Sequence, residues 1–173
     1  MYFRHGFILE DLPESQQWLG QALVAAFPGI TIQTTSSVQE AHLALAGGCA
    51  PDVALIDLGL PDGSGVSIIE QIKKTRPNCL CVVTSIYNDD AHVFPALRAG
   101  ATGYLLKDQP VAVIVQALQG IANGTPPISP AIARRMLAFF QPPAVPDVPV
   151  LTERETEVLR IIAKGLTQSE CAR

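Results

Sequence analysis

Pro51-Asp52-Val53-Ala54-Leu55-Ile56-Asp57-Leu58-Gly59-Leu60-Pro61-Asp62-Gly63-Ser64-Gly65 is an apolar run that ends on a carboxylate and then breaks into a Pro/Gly-rich turn. Val53 to Ile56 show no polar alternation, so both faces should be covered, as in the central strand of a parallel sheet flanked by helices. Such sheets bind ligands at the carboxyl ends of their strands. Pro61, Gly63 and Gly65 turn the chain at once, which sets Asp57 at the mouth of that crevice and not inside the sheet. Taken alone, an Asp in this place can begin a turn or cap the next helix as readily as it can carry chemistry.

Upstream, Phe3 to Leu9 is a short apolar run, interrupted by Arg4-His5-Gly6, that ends in Glu10 and Asp11 and predicts a first strand. Pro13 suits the first turn of a helix, in which Leu19, Ala22, Leu23 and Ala26 recur at helical spacing until Phe27-Pro28-Gly29 stops it. Ile30 to Thr34 is strand-like. Ser36 and Ser37 can cap the next helix, with Glu40 three residues past Ser37 as in a capping box, and Gly47-Gly48 ends it.

Downstream, Val66 to Thr75 predicts a helix with Ile68, Ile69 and Ile72 on one side and Lys73, Lys74 and Arg76 at the end, where they suit the helix dipole. Leu80 to Val83, ending at Thr84-Ser85, predicts a fourth strand. Asp89-Asp90 open a helical pattern in which Pro95 should cause a kink or a restart one turn late. Tyr104-Leu105-Leu106 predicts a fifth strand that ends at Lys107-Asp108, and Pro110 opens a helix to about Asn123. This repeated β-α alternation calls for an α/β fold, a five-stranded parallel sheet flanked by helices, and right-handed crossovers favour the order 2-1-3-4-5 over residues 1 to 123. Residues 124 to 149 then read as a Pro-rich, semi-rigid linker with one helix at about 131 to 140. A second unit begins at 150, with Thr152 as cap, Glu155 in the first turn, Leu159 and Ile162 apolar, Gly165 ending the helix and Thr167 capping another.

At 173 residues and 48% hydrophobic, the chain can bury a real core. It carries no apolar run of membrane length, and its first ten residues lack a secretory pattern, so the expected compartment is the cytoplasm and no membrane partner is expected. Cys49, Cys79, Cys81 and Cys171 form no CxxC pair and fit free thiols, while His5, His42 and His92 are too scattered for a structural zinc site. Residues 1 to 123 hold eleven Asp/Glu against six Lys/Arg, and residues 124 to 173 five against six. An acidic domain is a poor ligand for phosphates, so any DNA contact must come from beyond it.

Placing the strand ends together brings Glu10 and Asp11, Asp57, Thr84 and Lys107 to one edge. Three converging carboxylates must either raise their pKa values or take up a cation. An all-oxygen set with open positions suits Mg²⁺. Lys107 and Thr84 add the fixed charge and the hydroxyl donor that can stabilise a phosphoryl group in flight.

Five stretches in register carry a resemblance: Ile8-Leu9-Glu10-Asp11; Asp57 to Pro61 with Gly63 and Gly65; Val82-Val83-Thr84-Ser85; Ala96 to Asp108; and Leu151 to Leu159. The first four resemble the flavodoxin-like receiver domain of two-component response regulators, and the last resembles the start of a LuxR-type helix-turn-helix, so the whole is similar to the NarL/FixJ subfamily. The resemblance implies that Asp57 is the phosphoacceptor, that Glu10 and Asp11 hold Mg²⁺ with it, and that Gly59 lends a backbone carbonyl to the metal. It implies that Thr84 follows the phosphoryl group, that Lys107 pairs with it, and that the Tyr104 rotamer couples the site to the surface. The implied partners are a sensor histidine kinase and, through a complete C-terminal domain, DNA. Thr167 to Arg173 matches the scaffold helix of the family, with Cys171 where an aliphatic residue is usual, and no reading helix follows. The expectation is therefore a fragment of a longer protein that does not itself read DNA.

Two other functions compete. An Asp-nucleophile phosphohydrolase would want an acid/base carboxylate two residues after the nucleophile, where Gly59 stands. A phosphorylation-independent interaction module would fit the missing reading helix but not the intact acidic set. Residues 109 to 133 contain no charged side chain. With Val113 or Ile114, Ala117, Leu118 and Ile121 facing the sheet, Val111, Ala112 and Val115 should point outward, and Trp18 of the first helix could extend the patch. The expected cover is a homodimer through the first and fifth helices, or else the linker helix with Met136, Leu137, Phe139 and Phe140.

Overall fold

The computed structural model describes residues 3–121, 124–141 and 152–163, with the backbone alone at 161 and 162. Strands β1 (His5–Leu9), β2 (Thr31–Thr35), β3 (Val53–Ile56), β6 (Leu80–Ser85) and β7 (Gly103–Leu106) form one parallel sheet in the order β2-β1-β3-β6-β7. This is the expected 2-1-3-4-5 order. Between β3 and the following helix, β4 (Gly59–Leu60) and β5 (Gly63–Ser64) pair as a short antiparallel ribbon around Pro61-Asp62.

The period of two along each strand sorts the core into two layers. Ile8, Val53, Leu55, Val82 and Leu105 pack under helices α1 (Pro13–Ala26) and α5 (Val111–Gly120). Phe7, Leu9, Ala54, Ile56, Cys81, Val83, Tyr104 and Leu106 pack under α2 (Val38–Ala46), α3 (Val66–Thr75) and α4 (Asp90–Arg98). Cys79 and Cys81 are buried free thiols, as expected; Cys49 is half-buried.

Helix α2 starts as its sequence implies. Ser37 Oγ accepts the Glu40 N–H at 3.1 Å, but the Glu40 carboxylate reaches one residue further back than in a standard capping box, to the N–H and hydroxyl of Ser36. Asp62 adds what the local sequence does not reveal: its two carboxylate oxygens accept the Val38 and Gln39 N–H groups at 3.0 and 2.9 Å, tying the β4-β5 turn to the start of α2.

Helix α4 runs from Asp90 to Arg98 as one element with Pro95 inside it, so the helix does not restart one turn late. The hydrogen bond that Pro95 cannot donate would have gone to Ala91, in the exposed first turn, where water can satisfy the carbonyl.

The linker helix does not cover α5 but docks on the opposite layer, which corrects one of the two expected covers. Ile128 pairs beside Tyr104, extending the β7 edge, and buried Ser129 accepts the Leu106 N–H at 3.0 Å. Helix α6 (Pro130–Phe140) then buries Ile132 in the layer shared with α3 and α4. Arg135 pairs with Asp90 at 2.6 Å, and the rings of Phe94 and Phe139 lie 4.0 Å apart. The chain accordingly divides into compact units Met1–Phe139 and Phe140–Arg173.

On α5, Ile114, Leu118 and Ile121 are buried toward the sheet, while Val111 and Val113 stand 43% and 40% exposed. Val115, expected outward, is half-buried and, like Trp18, packs on the core layer under α1 and α5. The reason is that α1 lies directly beside α5 on the same face and takes up that side of the helix.

In the second unit, α7 (Glu153–Ala163) opens on a capping box: Thr152 Oγ1 accepts the Glu155 N–H at 3.4 Å, and Glu155 accepts the Thr152 N–H at 2.8 Å. The expected roles of Gly165, Thr167 and Cys171, and of the Ile162 side chain, lie outside the described residues. No described helix is long and apolar enough to cross a membrane.

Candidate functional site

Parallel register delivers the site. Leu9 pairs with Ile56, Ile56 with Val83, and Thr84 with Leu105, so the residues leaving β1, β3 and β7 emerge together beside the end of β6. Glu10, Asp11 and Asp57 each bring a carboxylate oxygen to within 4.8 Å of one another. Lys107 reaches over from the end of β7, its Nζ 2.8 Å from Asp57 Oδ2 and 2.6 Å from Glu10 Oε2.

Asp57 is held from its own turn as well. Its Oδ1 accepts the Leu58 N–H at 2.7 Å and, at a long 3.5 Å, the Gly59 N–H. Behind it, Gly65 has an ordinary helical backbone (φ −59°, ψ −13°), but a Cβ there would stand 2.0 Å from the Asp57 carbonyl oxygen. Gly65 is thus required by close approach and not by dihedral angle, and it lets α3 begin hard against the Asp57 peptide.

The charge balance is incomplete within the protein. Glu10 is fully buried, and although Lys107 is close to Oε2, neither carboxylate oxygen receives a hydrogen bond of good geometry. Burial pushes the Glu10 carboxyl above its ordinary value; Lys107 pulls it partly back, and the negative charge of Asp57 adds to the rise. For Lys107 burial is the largest single influence and acts downward, but contact with both carboxylates outweighs it and raises the net value. Thr84 Oγ1 is also buried without a partner. Buried oxygens left open in this way can accept a further ligand. The donor set, three carboxylates with half-buried Asp11 at its margin, fits a hard divalent cation.

Tyr104 is completely buried, and its hydroxyl donates to the Tyr87 carbonyl at 2.8 Å. Burial pushes its phenol up to about 12, moderated by a hydrogen bond with Ser85. Trp18, Val111, Ala112 and Val115 lie on α1 and α5 and take no part in this cluster. The sequence reading passed over Tyr87. Its ring lies against Gly59, and a Cβ on Gly59 would meet Cε2 at 2.7 Å. An aromatic three residues beyond Thr84, facing a glycine two residues beyond Asp57, was the available signal.

Comparison with known proteins agrees with this geometry. Residues 7–119 match the family model for the response regulator receiver domain. The nitrate/nitrite response regulator protein NarL of Escherichia coli is 31% identical over 169 residues, covering 96% of this chain and 78% of that protein. The transcriptional regulatory protein LiaR of Bacillus subtilis is 31% identical, covering 86% and 72%. Among solved structures, a LuxR-family two-component response regulator from Aurantimonas superposes with a TM-score of 0.67 at 23% identity, covering 80% of this chain and 98% of that one, a likeness of fold. The chain belongs to the response regulator receiver family, as a NarL-type two-component regulator acting in phosphorylation-dependent control of transcription.

Proposed function

We propose that in this receiver-family chain Asp57 accepts a phosphoryl group from the phosphohistidine of a sensor kinase. The observation that carries the reading is the Asp57 carboxylate set between Lys107 and the acidic pair Glu10 and Asp11. In the transfer, an Asp57 oxygen bonds to phosphorus, the P–N bond to the donor histidine breaks, and the electron pair of that bond stays with the imidazole. Glu10, Asp11 and Asp57, with the Gly59 carbonyl, would hold Mg²⁺, which when bound offsets charge on the transferring oxygens. Lys107 orients the Asp57 carboxylate and stands ready to pair with a phosphoryl oxygen, and the uncommitted Thr84 hydroxyl can donate to another.

Tyr104 is the relay in this reading, since it ties the buried layer to the loop after β6. The chain is a phosphoacceptor and not an enzyme with turnover on a separate substrate. Gly59 leaves no second acid/base carboxylate for a phosphohydrolase, and the intact acidic set counts against a phosphorylation-independent interaction module. The output is transcriptional, with DNA engaged through a complete C-terminal domain and the protein acting in the cytoplasm. Exposed Val111, Ala112 and Val113, with α1 alongside, support a homodimer through α1 and α5.

The test is mass measurement of the chain after incubation with acetyl phosphate and Mg²⁺. The expected result is one added phosphoryl group, absent in Asp57→Asn. A chain that gains no mass, or a variant that gains it equally, overturns the reading.

A further inference from the structure

Strand β6 begins with two thiols on one side. Cys79, just before it, and Cys81, its second residue, both pack in the layer under α2, α3 and α4, while Leu80 between them turns to the opposite layer. Both thiols are buried, and they share a hydrogen bond. That contact holds the Cys79 thiol up and lowers the Cys81 thiol.

A positive charge stands beside them. Lys73, near the end of α3, donates to the Cys79 carbonyl at 2.6 Å and to the Pro77 carbonyl at 3.2 Å. Its stem is held against Gly100, where a Cβ would meet Cγ at 2.9 Å. Among the described residues no carboxylate pairs with this half-buried ammonium. Its charge favours the thiolate form at both sulfurs, while Asp52, which accepts the Arg4 and His5 N–H groups, acts less strongly the other way on Cys79. Two thiolates around a monovalent cation leave one negative charge, which Lys73 balances.

Geometry decides what such a pair can hold. Residues two apart on a strand have Cα atoms about 6.6–7 Å apart, at the upper limit for a disulfide, whose Cβ atoms must also close to about 4.5 Å. The backbone is not free to contract: Cys81 pairs with Ala54 of β3, its carbonyl accepts the Thr102 N–H at 2.8 Å, and the Cys79 N–H is held by the Arg76 carbonyl at 3.0 Å. A metal between the sulfurs relaxes the demand, since two metal–sulfur bonds of about 2.3 Å span up to about 4.6 Å. Zinc would want four ligands, and among the described residues no group of three or more His, Cys, Asp or Glu donors forms here. A soft cation satisfied by two thiolates fits the pair. Entry is past Cys79, which lines a surface cavity of about 270 Å³ with Asp52, Arg76 and Pro77.

We propose that Cys79 and Cys81 form a two-coordinate site for a soft monovalent cation, Cu⁺ by its chemistry, with Lys73 as the balancing charge. Binding releases the thiol protons and changes no oxidation state. The site lies at the opposite end of β6 from Thr84 and shares no residue with the acidic cluster, whose oxygen ligands take hard cations. It does not depend on Asp57 being the phosphoacceptor.

The experiment titrates the whole, reduced chain with Cu⁺ under argon in competition with a chromophoric Cu⁺ chelator. The expected result is one Cu⁺ retained per chain, with a thiolate-to-copper charge-transfer band in the ultraviolet and two sulfur neighbours by X-ray absorption. Excess Mg²⁺ should displace none of it. Cys79→Ala and Cys81→Ala should each lose the retained Cu⁺, whereas Cys49→Ala and Cys171→Ala should keep it; urea midpoints of all four control for loss of the fold. Lys73→Met, which leaves both thiols in place, should weaken binding about tenfold. A chain that yields all its Cu⁺ to the chelator, or that holds it equally in folded Cys79→Ala or Cys81→Ala, overturns the site, and equal affinity in the parent and Lys73→Met overturns the role given to Lys73.

Discussion

Gly65→Ala sets two effects of opposite sign against each other. Because Gly65 already has helical dihedral angles, alanine there restricts only the unfolded chain and on that ground would stabilise by about 0.4–1 kcal/mol. Against this, the new Cβ would stand 2.0 Å from the Asp57 carbonyl oxygen, 2.7 Å from Ile56 Cγ2 and 3.1 Å from the Asp57 carbonyl carbon, where ordinary contact begins at 3.4 Å. The closest obstacle is backbone and cannot rotate away, so α3 and the Asp57 peptide must separate by more than an ångström. Overpacking of a close-packed site costs about 1–3 kcal/mol, and with backbone as the obstacle the upper part of that range applies. The steric term wins, leaving a net loss of about 1–2 kcal/mol. Urea unfolding followed through Trp18, the single tryptophan, reads it as a lower midpoint with unchanged slope. Displacement of Asp57 relative to Lys107 should also slow phosphorylation by acetyl phosphate. A midpoint equal to or above the parent's, with the parent's phosphorylation rate, would refute the close-approach argument.

Asp11→Ala should weaken Mg²⁺ binding at least several-fold, because it removes the most solvent-accessible member of the acidic cluster; equal affinity by calorimetry would move the metal elsewhere. The Val38 and Gln39 N–H groups hold the Asp62 carboxyl below its usual value. Its stabilising effect is therefore present above the ordinary Asp range of about 4 and is lost as pH falls through the lowered value. Asp62→Asn should have a lower urea midpoint than the parent at neutral pH and the same midpoint in strong acid; a gap that persists in acid counts against the cap. Ile132→Ala, at a fully buried site on α6, should cost about 2–4 kcal/mol of helix docking and appear as faster hydrogen exchange along α6. Unchanged exchange would mean that α6 is held by other contacts. Val111→Glu should leave a folded chain and abolish any dimer through α5, whereas Val115→Glu, facing α1, should also lower stability; sedimentation and urea melts of the two variants, each set against the parent, separate these effects.

The order of elements, the two-layer core and the convergence of Glu10, Asp11, Asp57 and Lys107 were legible from sequence alone. Each depends on short-range pattern: an unbroken apolar strand, a polar residue at its carboxyl end, and a crossover rule that allows few topologies. Four features needed the tertiary structure. Val115 turns toward α1 because of which helix lies beside α5, a matter of packing that periodicity within α5 does not contain. Helix α6 docks on α4 because Ile132, Arg135 and Phe139 find partners in Asp90, Phe94 and the adjoining core, and nothing in an apolar stripe names the surface it will meet. Pro95 sits inside an unbroken helix because the bond it forgoes lies in an exposed first turn. Tyr87 meets Gly59 across nearly thirty residues, since parallel strands bring their carboxyl ends together whatever the chain length between them, and local sequence carries no record of which side chain will fill the space a glycine leaves open.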